Sequence, residues 1–236
     1  MISLRARRTL GVLAAGLTAV VLAACAPVEA ETTDPIATTT PLASPTATTQ
    51  LTTTTVMIGD SIMSGYGLET SQAWPALLAD TEPLQLTNLA CGGTGFVAVG
   101  DCGTDYAGFI PAVAALAPQL VVIESSSNDF DLPADQIAVA TEDTVQQLHD
   151  AAPYALIVGL STIWNDDTDV PGDVDVTSAA LEQALDEVDG VFIDVGQPLA
   201  GHPEWMQDDD VHPTAAGQRV IAAVVAAKLK AAGVLG

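Results

Sequence analysis

The chain has 236 residues, 49% of them hydrophobic, and a formal net charge of -24 at pH 7. This length supports one globular domain with a sizeable core, but not two catalytic domains. So acidic a chain is an unfavourable partner for nucleic acids and other anionic polymers, and we expect neither as a ligand.

Residues 1–24 have the pattern of a secretory signal peptide. Arg5, Arg7 and Arg8 precede an uncharged apolar run that is shorter than a membrane-spanning helix requires. The run ends in Leu-Ala-Ala-Cys, which resembles the lipobox of bacterial lipoproteins, where the cysteine becomes the acylated first residue. We therefore expect lipidation at Cys25 and an extracytoplasmic protein anchored to the bacterial cell membrane. An ordinary signal peptide is the alternative.

Residues 25–52 are dominated by Thr, Pro and Ala and contain almost no large apolar side chains, so they predict a tether. One catalytic domain is expected over 53–236. With Cys25 assigned to the lipid, Cys91 and Cys102 remain as a pair. In an oxidising compartment we expect them to form a disulfide that closes a short loop.

From Thr53 onward, short apolar runs typical of strands alternate with helical patterns. Strands are predicted, in chain order, over 56–58, 84–89, 120–123, 155–160 and 191–195. Helices are predicted over 74–79, 110–116, 137–148, 179–188 and 215–232. Strands separated by helices form βαβ units, which predict a parallel sheet covered by helices on both faces.

Polar clusters follow four of these strands. Gly59-Asp60-Ser61 follows the first strand, and the next three clusters occupy 88–95, 125–129 and 164–166. The carboxyl ends of parallel strands meet at one edge of the sheet, where ligands of such folds bind. The sequence therefore predicts a site at this edge, with the Ser61 hydroxyl exposed on a tight turn.

A serine at neutral pH is a poor nucleophile without an adjacent base. His212 is the candidate base, because Asp209 lies three residues earlier and can accept from its ring and fix the tautomer. Asp208 and Asp210 are the alternative partners, with Asp210 favoured if the turn is tighter. The same acidic segment also suits the first turn of a helix.

The chain contains two other histidines. His202 also precedes a proline, in Gly-His-Pro-Glu-Trp, and is the alternative base. His149 lies in a charged helical stretch and is expected to be exposed.

Four segments together resemble the sequence blocks of SGNH (GDSL-type) hydrolases. The segment TVMIGDSIMSGYGL at 55–68 resembles the first block. The segment AWPALL at 73–78 resembles the corresponding sequence in the thioesterase and lysophospholipase branch of the family. NLACGGT at 88–94 is similar to the second block and SSND at 126–129 to the third. Asp209 to His212 matches the Asp-x-x-His of the last block.

The resemblance implies an α/β/α sandwich with a central parallel sheet of the flavodoxin-like type. It also implies a serine esterase in which Ser61, His212 and Asp209 form a triad. The implied oxyanion hole consists of the Ser61 amide, the Gly93 amide and the Asn128 side chain, with Gly92 as the less favoured glycine.

One position departs from the family pattern, since Ser126 stands where the third block has glycine. Because serine lacks the backbone freedom of glycine, we expect the loop that aims Asn128 to differ and activity to be modest.

The expected reaction is hydrolysis of carboxylic esters by an esterase, lipase or thioesterase through an acyl-enzyme, with neither metal nor organic cofactor. The substrate is a small ester or an acylated lipid or glycan, and the enzyme is expected to be a monomer. Two alternatives stay open. One is a carbohydrate O-acetylesterase or acetyltransferase of the cell envelope, and the other is an inactive, lipid-anchored binding module.

Overall fold

The computed structural model describes residues 52–236, which contain a five-stranded sheet flanked by helices. The strands are β1 (Thr53–Ile58), β2 (Leu84–Asn88), β3 (Leu120–Glu124), β4 (Leu156–Leu160) and β5 (Val191–Ile193). Every neighbouring pair is parallel, and the strand order is β2-β1-β3-β4-β5. This confirms the predicted α/β/α fold with a central parallel sheet. The predicted signal peptide at 1–24, Cys25 and all but the last residue of the tether lie outside the described residues.

The helices occupy the connections between strands and the end of the chain. They are α1 (Ser61–Ser64), α2 (Trp74–Thr81), α3 (Ile110–Leu116), α4 (Ala134–Ala151), α5 (Asp173–Asp186) and α6 (Ala215–Ala231). Helix α5 begins before the predicted 179, since Val174 and Thr177 in its first turns are buried. Asp173 and Asp175 also favour that N-terminus, where negative charge is stabilised by the helix dipole.

The sheet has a hydrophobic core on each face, because successive side chains of a strand point in opposite directions. Met57 of β1 belongs to the core on one face, which includes Trp74 of α2 and Val225 of α6. Its neighbours Val56 and Ile58 belong to the core on the other face, to which three helices contribute Val113 of α3, Val145 of α4 and Leu181 of α5. Burial on both faces explains why the strands are apolar runs rather than alternating sequences.

Helix α6 is fixed to the start of the fold by one buried side chain. Gln218 is fully buried; its Oε1 accepts from the Trp74 amide at 2.8 Å, and its Nε2 donates to the Ile62 carbonyl at 2.8 Å. One glutamine thereby satisfies two buried backbone groups from α1 and α2. Among residues 52–236, no helix is both long and apolar enough to cross a membrane.

We expect Gln218→Leu to lower the free energy of unfolding by about 1–3 kcal/mol, because the buried Trp74 amide loses its acceptor and the Ile62 carbonyl keeps only the Gly65 amide as a donor. Urea denaturation followed by circular dichroism measures this change. The control is Gln146→Leu, on the exposed face of α4, which should change stability by no more than about 0.5 kcal/mol. Equal effects of the two substitutions would contradict the role assigned to Gln218.

Candidate active site

The turn after β1 presents Ser61 at the carboxyl edge of the sheet. Asp60 is the N-cap of α1, and its Oδ1 accepts from the Ile62 amide at 2.8 Å. Ser61 is the first residue of the helix and is partly exposed. The first amides of a helix have no partner within it; here those of Ile62 and Ser64 bond to Asp60, whereas the Ser61 amide has no acceptor within the helix.

A pocket of about 280 Å³ brings the predicted residues together. Its walls include Ser61, His212, Gly93 and Asn128, which come from four separate segments of the chain. No hydrogen bond joins Ser61 to His212, both of which belong to the described part of the chain. Such bonds often tighten only when a substrate binds.

A larger groove of about 720 Å³ lies beside α5 and the end of β5, and it contains none of the predicted site residues. Its polar groups serve local structure. Ser161 donates to Asp194 at 3.3 Å, and the Gln197 side chain bonds the backbone of Trp164 and Thr162. The size of this groove therefore does not make it the better candidate.

His212 is oriented by Asp209. The ring Nδ1 lies 2.6 Å from Asp209 Oδ2, and the other carboxylate oxygen accepts from the backbone amides of Val211 and His212. The hydrogen bond to the ring, followed by these amides, lowers the pKa of Asp209 to about 2. The carboxylate thus stays ionised, and with Nδ1 occupied, Nε2 is the ring atom that can accept a proton.

The alternative residues are placed differently. Asp208 and Asp210 make no hydrogen bond to the His212 ring in the part of the chain that the structure describes; the Asp210 carbonyl accepts instead from Asn165 of the fourth polar cluster. His202 pairs with Glu204 at 2.8 Å and stacks on Trp205, outside the pocket. His149 lies in the last turn of α4, away from the site.

Tyr66 and Gln207 hold the loop that contains His212 against the turn that contains Ser61. The Tyr66 ring packs on His212 with centroids 4.3 Å apart. Gln207 donates from Nε2 to the carbonyls of Tyr66 and Pro213, and its backbone amide donates to the His212 carbonyl. The sequence motifs did not indicate these contacts, because Tyr66 and Gln207 are 141 residues apart.

The predicted Cys91–Cys102 disulfide is present and closes the loop that follows β2. Gly93 in this loop has φ of 74°, a left-handed conformation that favours glycine. Gly92 is needed for space: a β-carbon there would lie 2.8 Å from Asp101 Oδ2 and 4.0 Å from Ser61 Cβ. Asp101 therefore lies near Ser61, and it also lines the pocket.

The two residues of the Asn-Asp pair have separate tasks. Asn128 lines the pocket, and its Nδ2 donates to the Thr94 carbonyl at 3.0 Å. Asp129 is buried and accepts from the amides of Phe96, Val97 and Ala98 at 2.7–3.1 Å. Burial raises the pKa of Asp129, although these amides oppose the shift. Asp129 thus fixes the backbone of 96–98, in the loop that also contains Gly93, while Asn128 faces the pocket.

Ser126 introduces no backbone strain. Its φ of -121° and ψ of 141° are ordinary extended values that any residue adopts. The expectation that serine would disturb the loop for lack of glycine's freedom is therefore wrong at this position. Its hydroxyl instead makes hydrogen bonds to the residues on both sides of the site.

Two adjoining carboxyl groups, those of Asp60 and Glu124, are buried beneath the turn that contains Ser61. Burial, followed by the charge of Asp60, raises the pKa of Glu124 well above its usual range. Burial raises the pKa of Asp60 as well, but Asp60 accepts hydrogen bonds from Ser126 and Ile62, whereas Glu124 Oε2 has no partner, so Asp60 is the better stabilised of the two as an anion. The one sequence signal for Glu124 was an acid at the end of an otherwise apolar strand.

Comparison with known proteins agrees with this geometry. Residues 57–220 match the model of the GDSL-like Lipase/Acylhydrolase family. The chain belongs to this family. No curated protein matched the sequence of this GDSL-like chain.

Solved structures share the GDSL-like fold. TesA is 25% identical, with a TM-score of 0.60 over 75% of this chain and 98% of that one. Esterase EstA from Pseudoalteromonas sp. is 20% identical, with a TM-score of 0.60 over 76% and 97%. A family two carbohydrate esterase from Cellvibrio japonicus is 16% identical, with a TM-score of 0.61 over 77% of this chain and 62% of that one.

We expect the double substitution Cys91→Ser and Cys102→Ser to lower the free energy of unfolding by about 3 kcal/mol, the chain-entropy value for a loop of this length. Turnover of p-nitrophenyl acetate should fall as well, because Gly93, an expected oxyanion donor, lies within the loop. Urea denaturation and initial rates measure the two effects. The reduced wild-type protein is the control and should match the variant; an oxidised wild type no more stable than either would contradict the prediction.

Proposed function

We propose that this GDSL-family protein hydrolyses carboxylic esters with Ser61 as nucleophile, His212 as general base and Asp209 as the residue that orients the base. The observation that carries the proposal is the pocket that contains Ser61 and His212, with the His212 ring bonded to Asp209. The family supports ester hydrolysis, and the arrangement supports these roles.

The reaction proceeds in two steps. Ser61 Oγ attacks the ester carbonyl while His212 Nε2 takes its proton, and the alcohol leaves with the proton that His212 returns. Water then attacks the acyl-enzyme, again with His212 as base. The negative oxygen formed in each step is stabilised by the Ser61 amide, the Gly93 amide and the Asn128 side chain.

We expect Ser61→Ala to abolish both p-nitrophenyl acetate hydrolysis and labelling by a fluorophosphonate probe, with no change in the unfolding midpoint. The control is Ser64→Ala on the same turn of helix, which should still be labelled. Labelling of the Ser61→Ala variant at the wild-type rate would refute the assignment. Wild-type protein that neither labels nor turns over any ester would favour an inactive binding module instead.

The pocket also indicates what charge the substrate carries. Asp101 lines it, while none of Arg219, Lys228 and Lys230, the Lys and Arg residues of 52–236, does so. A carboxylate in the same pocket as Ser61 repels an anionic substrate, and no Lys or Arg of the described residues lines the pocket to compensate. We therefore propose that neutral or cationic esters are preferred over anionic ones.

We expect Asp101→Asn to raise kcat/KM for an anionic ester relative to a neutral one by about 5- to 10-fold at low salt, and less at 1 M salt. The anionic substrates are 4-acetoxybenzenesulfonate, with charge on the alcohol, and mono-4-nitrophenyl succinate, with charge on the acyl group. Phenyl and p-nitrophenyl acetate are the neutral references. The end of the ester that lies nearer Asp101 should respond more strongly.

Asp150→Asn is the matched control, because it removes the same charge at the end of α4, which leads into the start of β4 at the opposite edge of the sheet. It should leave the ratio of anionic to neutral turnover unchanged. An equal response to both substitutions would mean that net charge, rather than Asp101, sets the preference.

A second candidate is an O-acetylesterase or acetyltransferase acting on cell-envelope glycans. Phe130 and Trp164 favour it, since they pack with centroids 5.2 Å apart and follow β3 and β4 at the edge of the sheet where the pocket lies, although neither lines the pocket itself. Partly exposed aromatic rings of this kind can stack on a sugar. Acetylated xylan assayed beside p-nitrophenyl esters of increasing chain length and a lysophospholipid separates the candidates.

We also propose that the protein works outside the cytoplasm, attached to the bacterial cell membrane through a lipid on Cys25. The Cys91–Cys102 disulfide supports an oxidising compartment. The Leu-Ala-Ala-Cys sequence supports the lipid anchor. Metabolic labelling with a fatty-acid analogue, compared with Cys25→Ala, tests the anchor.

A further inference from the structure

The hydroxyl of Ser126 lies between the Asn128 side chain and residues 59–61, the turn of the proposed nucleophile, which we call the nucleophile turn. Its Oγ is 2.6 Å from Asp60 Oδ2 and 3.0 Å from both the amide nitrogen and Nδ2 of Asn128. Ser126 is fully buried, so water does not compete for these bonds. Asp60 in turn caps the helix that begins with Ser61.

The direction of each bond follows from the chemistry of the groups. A hydroxyl has one proton and two lone pairs. The proton goes to the Asp60 carboxylate, so both lone pairs accept from Asn128. The Thr94 carbonyl also accepts from Nδ2, so both neighbours of the Asn128 amide are acceptors and its orientation is fixed.

We propose that Ser126 is a positioning residue, which joins the nucleophile turn to the Asn128 amide and holds that amide ready for the oxyanion. The proposal rests on the proposed function, because it requires Asn128 to be an oxyanion donor. Hydrogen bonds connect Asp60, Ser126 and Asn128 in one continuous series. The Ser61 hydroxyl and the Asn128 amide are therefore held in a fixed position relative to each other.

The Asn128 protons already have protein acceptors before the reaction begins. A charged oxyanion is a stronger acceptor than a neutral hydroxyl or carbonyl, so it draws on one of these protons while the other keeps the side chain in place. A donor ordered in advance needs no reorganisation when the charge develops. Glycine at position 126 provides no hydroxyl for this purpose.

The test is a double-mutant cycle on kcat and KM for p-nitrophenyl acetate. Ser126→Ala should lower kcat about 10-fold, the effect of one net hydrogen bond, with KM changed less than about 2-fold. Asn128→Ala should lower kcat by about 10²–10³-fold. Adding Ser126→Ala to Asn128→Ala should change kcat less than about 2-fold further, since the group that Ser126 positions is already gone.

Ser125→Ala is the matched control. Ser125 is the preceding residue and is equally buried, but its hydroxyl bonds to the Leu160 carbonyl and to Thr162, on the side of β4. It should lower the unfolding midpoint without changing kcat. Ser126→Gly is a second variant that removes the same hydroxyl without a methyl group in its place, and it should reproduce the effect of Ser126→Ala.

Three results would overturn the proposal. An equal loss from Ser126→Ala in the wild-type and Asn128→Ala backgrounds would mean that Ser126 acts by another route, with the proposed function intact. A higher kcat in Ser126→Ala would mean that its hydroxyl competes with the oxyanion. Unchanged kcat in Asn128→Ala would remove the donor itself, whereas the role of Ser61 would still be decided by fluorophosphonate labelling.

Discussion

The arrangement of the site depends on the burial of one carboxylate, that of Asp60. A charge removed from water requires hydrogen-bond donors around it, and here one donor is local and the other comes from a segment that is distant in sequence. The Ile62 amide belongs to the helix that begins with Ser61, and the Ser126 hydroxyl comes from the end of β3. Satisfying Asp60 therefore assembles the turn of Ser61 and the loop of Asn128 at the same time.

The fold could be predicted from the sequence because its signals are local. Runs such as 120–124 are apolar over the length of a strand, and the helices between them have the spacing of a buried face. The pairing of Asp209 with His212 is local too, since three residues separate them. The start of α5 was missed because its first turns carry aspartates and threonine as well as apolar residues, a composition that also suits a loop.

The contacts that hold the site together could not be predicted in the same way. Ser126 and Asp60 are 66 residues apart, and Gln218 and Ile62 are 156 apart. The local sequence around each of these polar side chains does not indicate its hydrogen-bond partner. The partner is known only from the folded chain. The substitution of serine for glycine at 126 illustrates the difficulty: judged by backbone freedom it is a defect, whereas the structure shows a filled hydrogen-bonding position.

Gln218 has a consequence for the spacing of the two reacting groups. Helix α6 begins directly after the loop of His212, and the glutamine fastens that helix to the carbonyl of Ile62, the residue next to Ser61. Ser61 and His212, 151 positions apart along the chain, are therefore held near each other by Gln218 from below, in addition to the contacts of Tyr66 and Gln207.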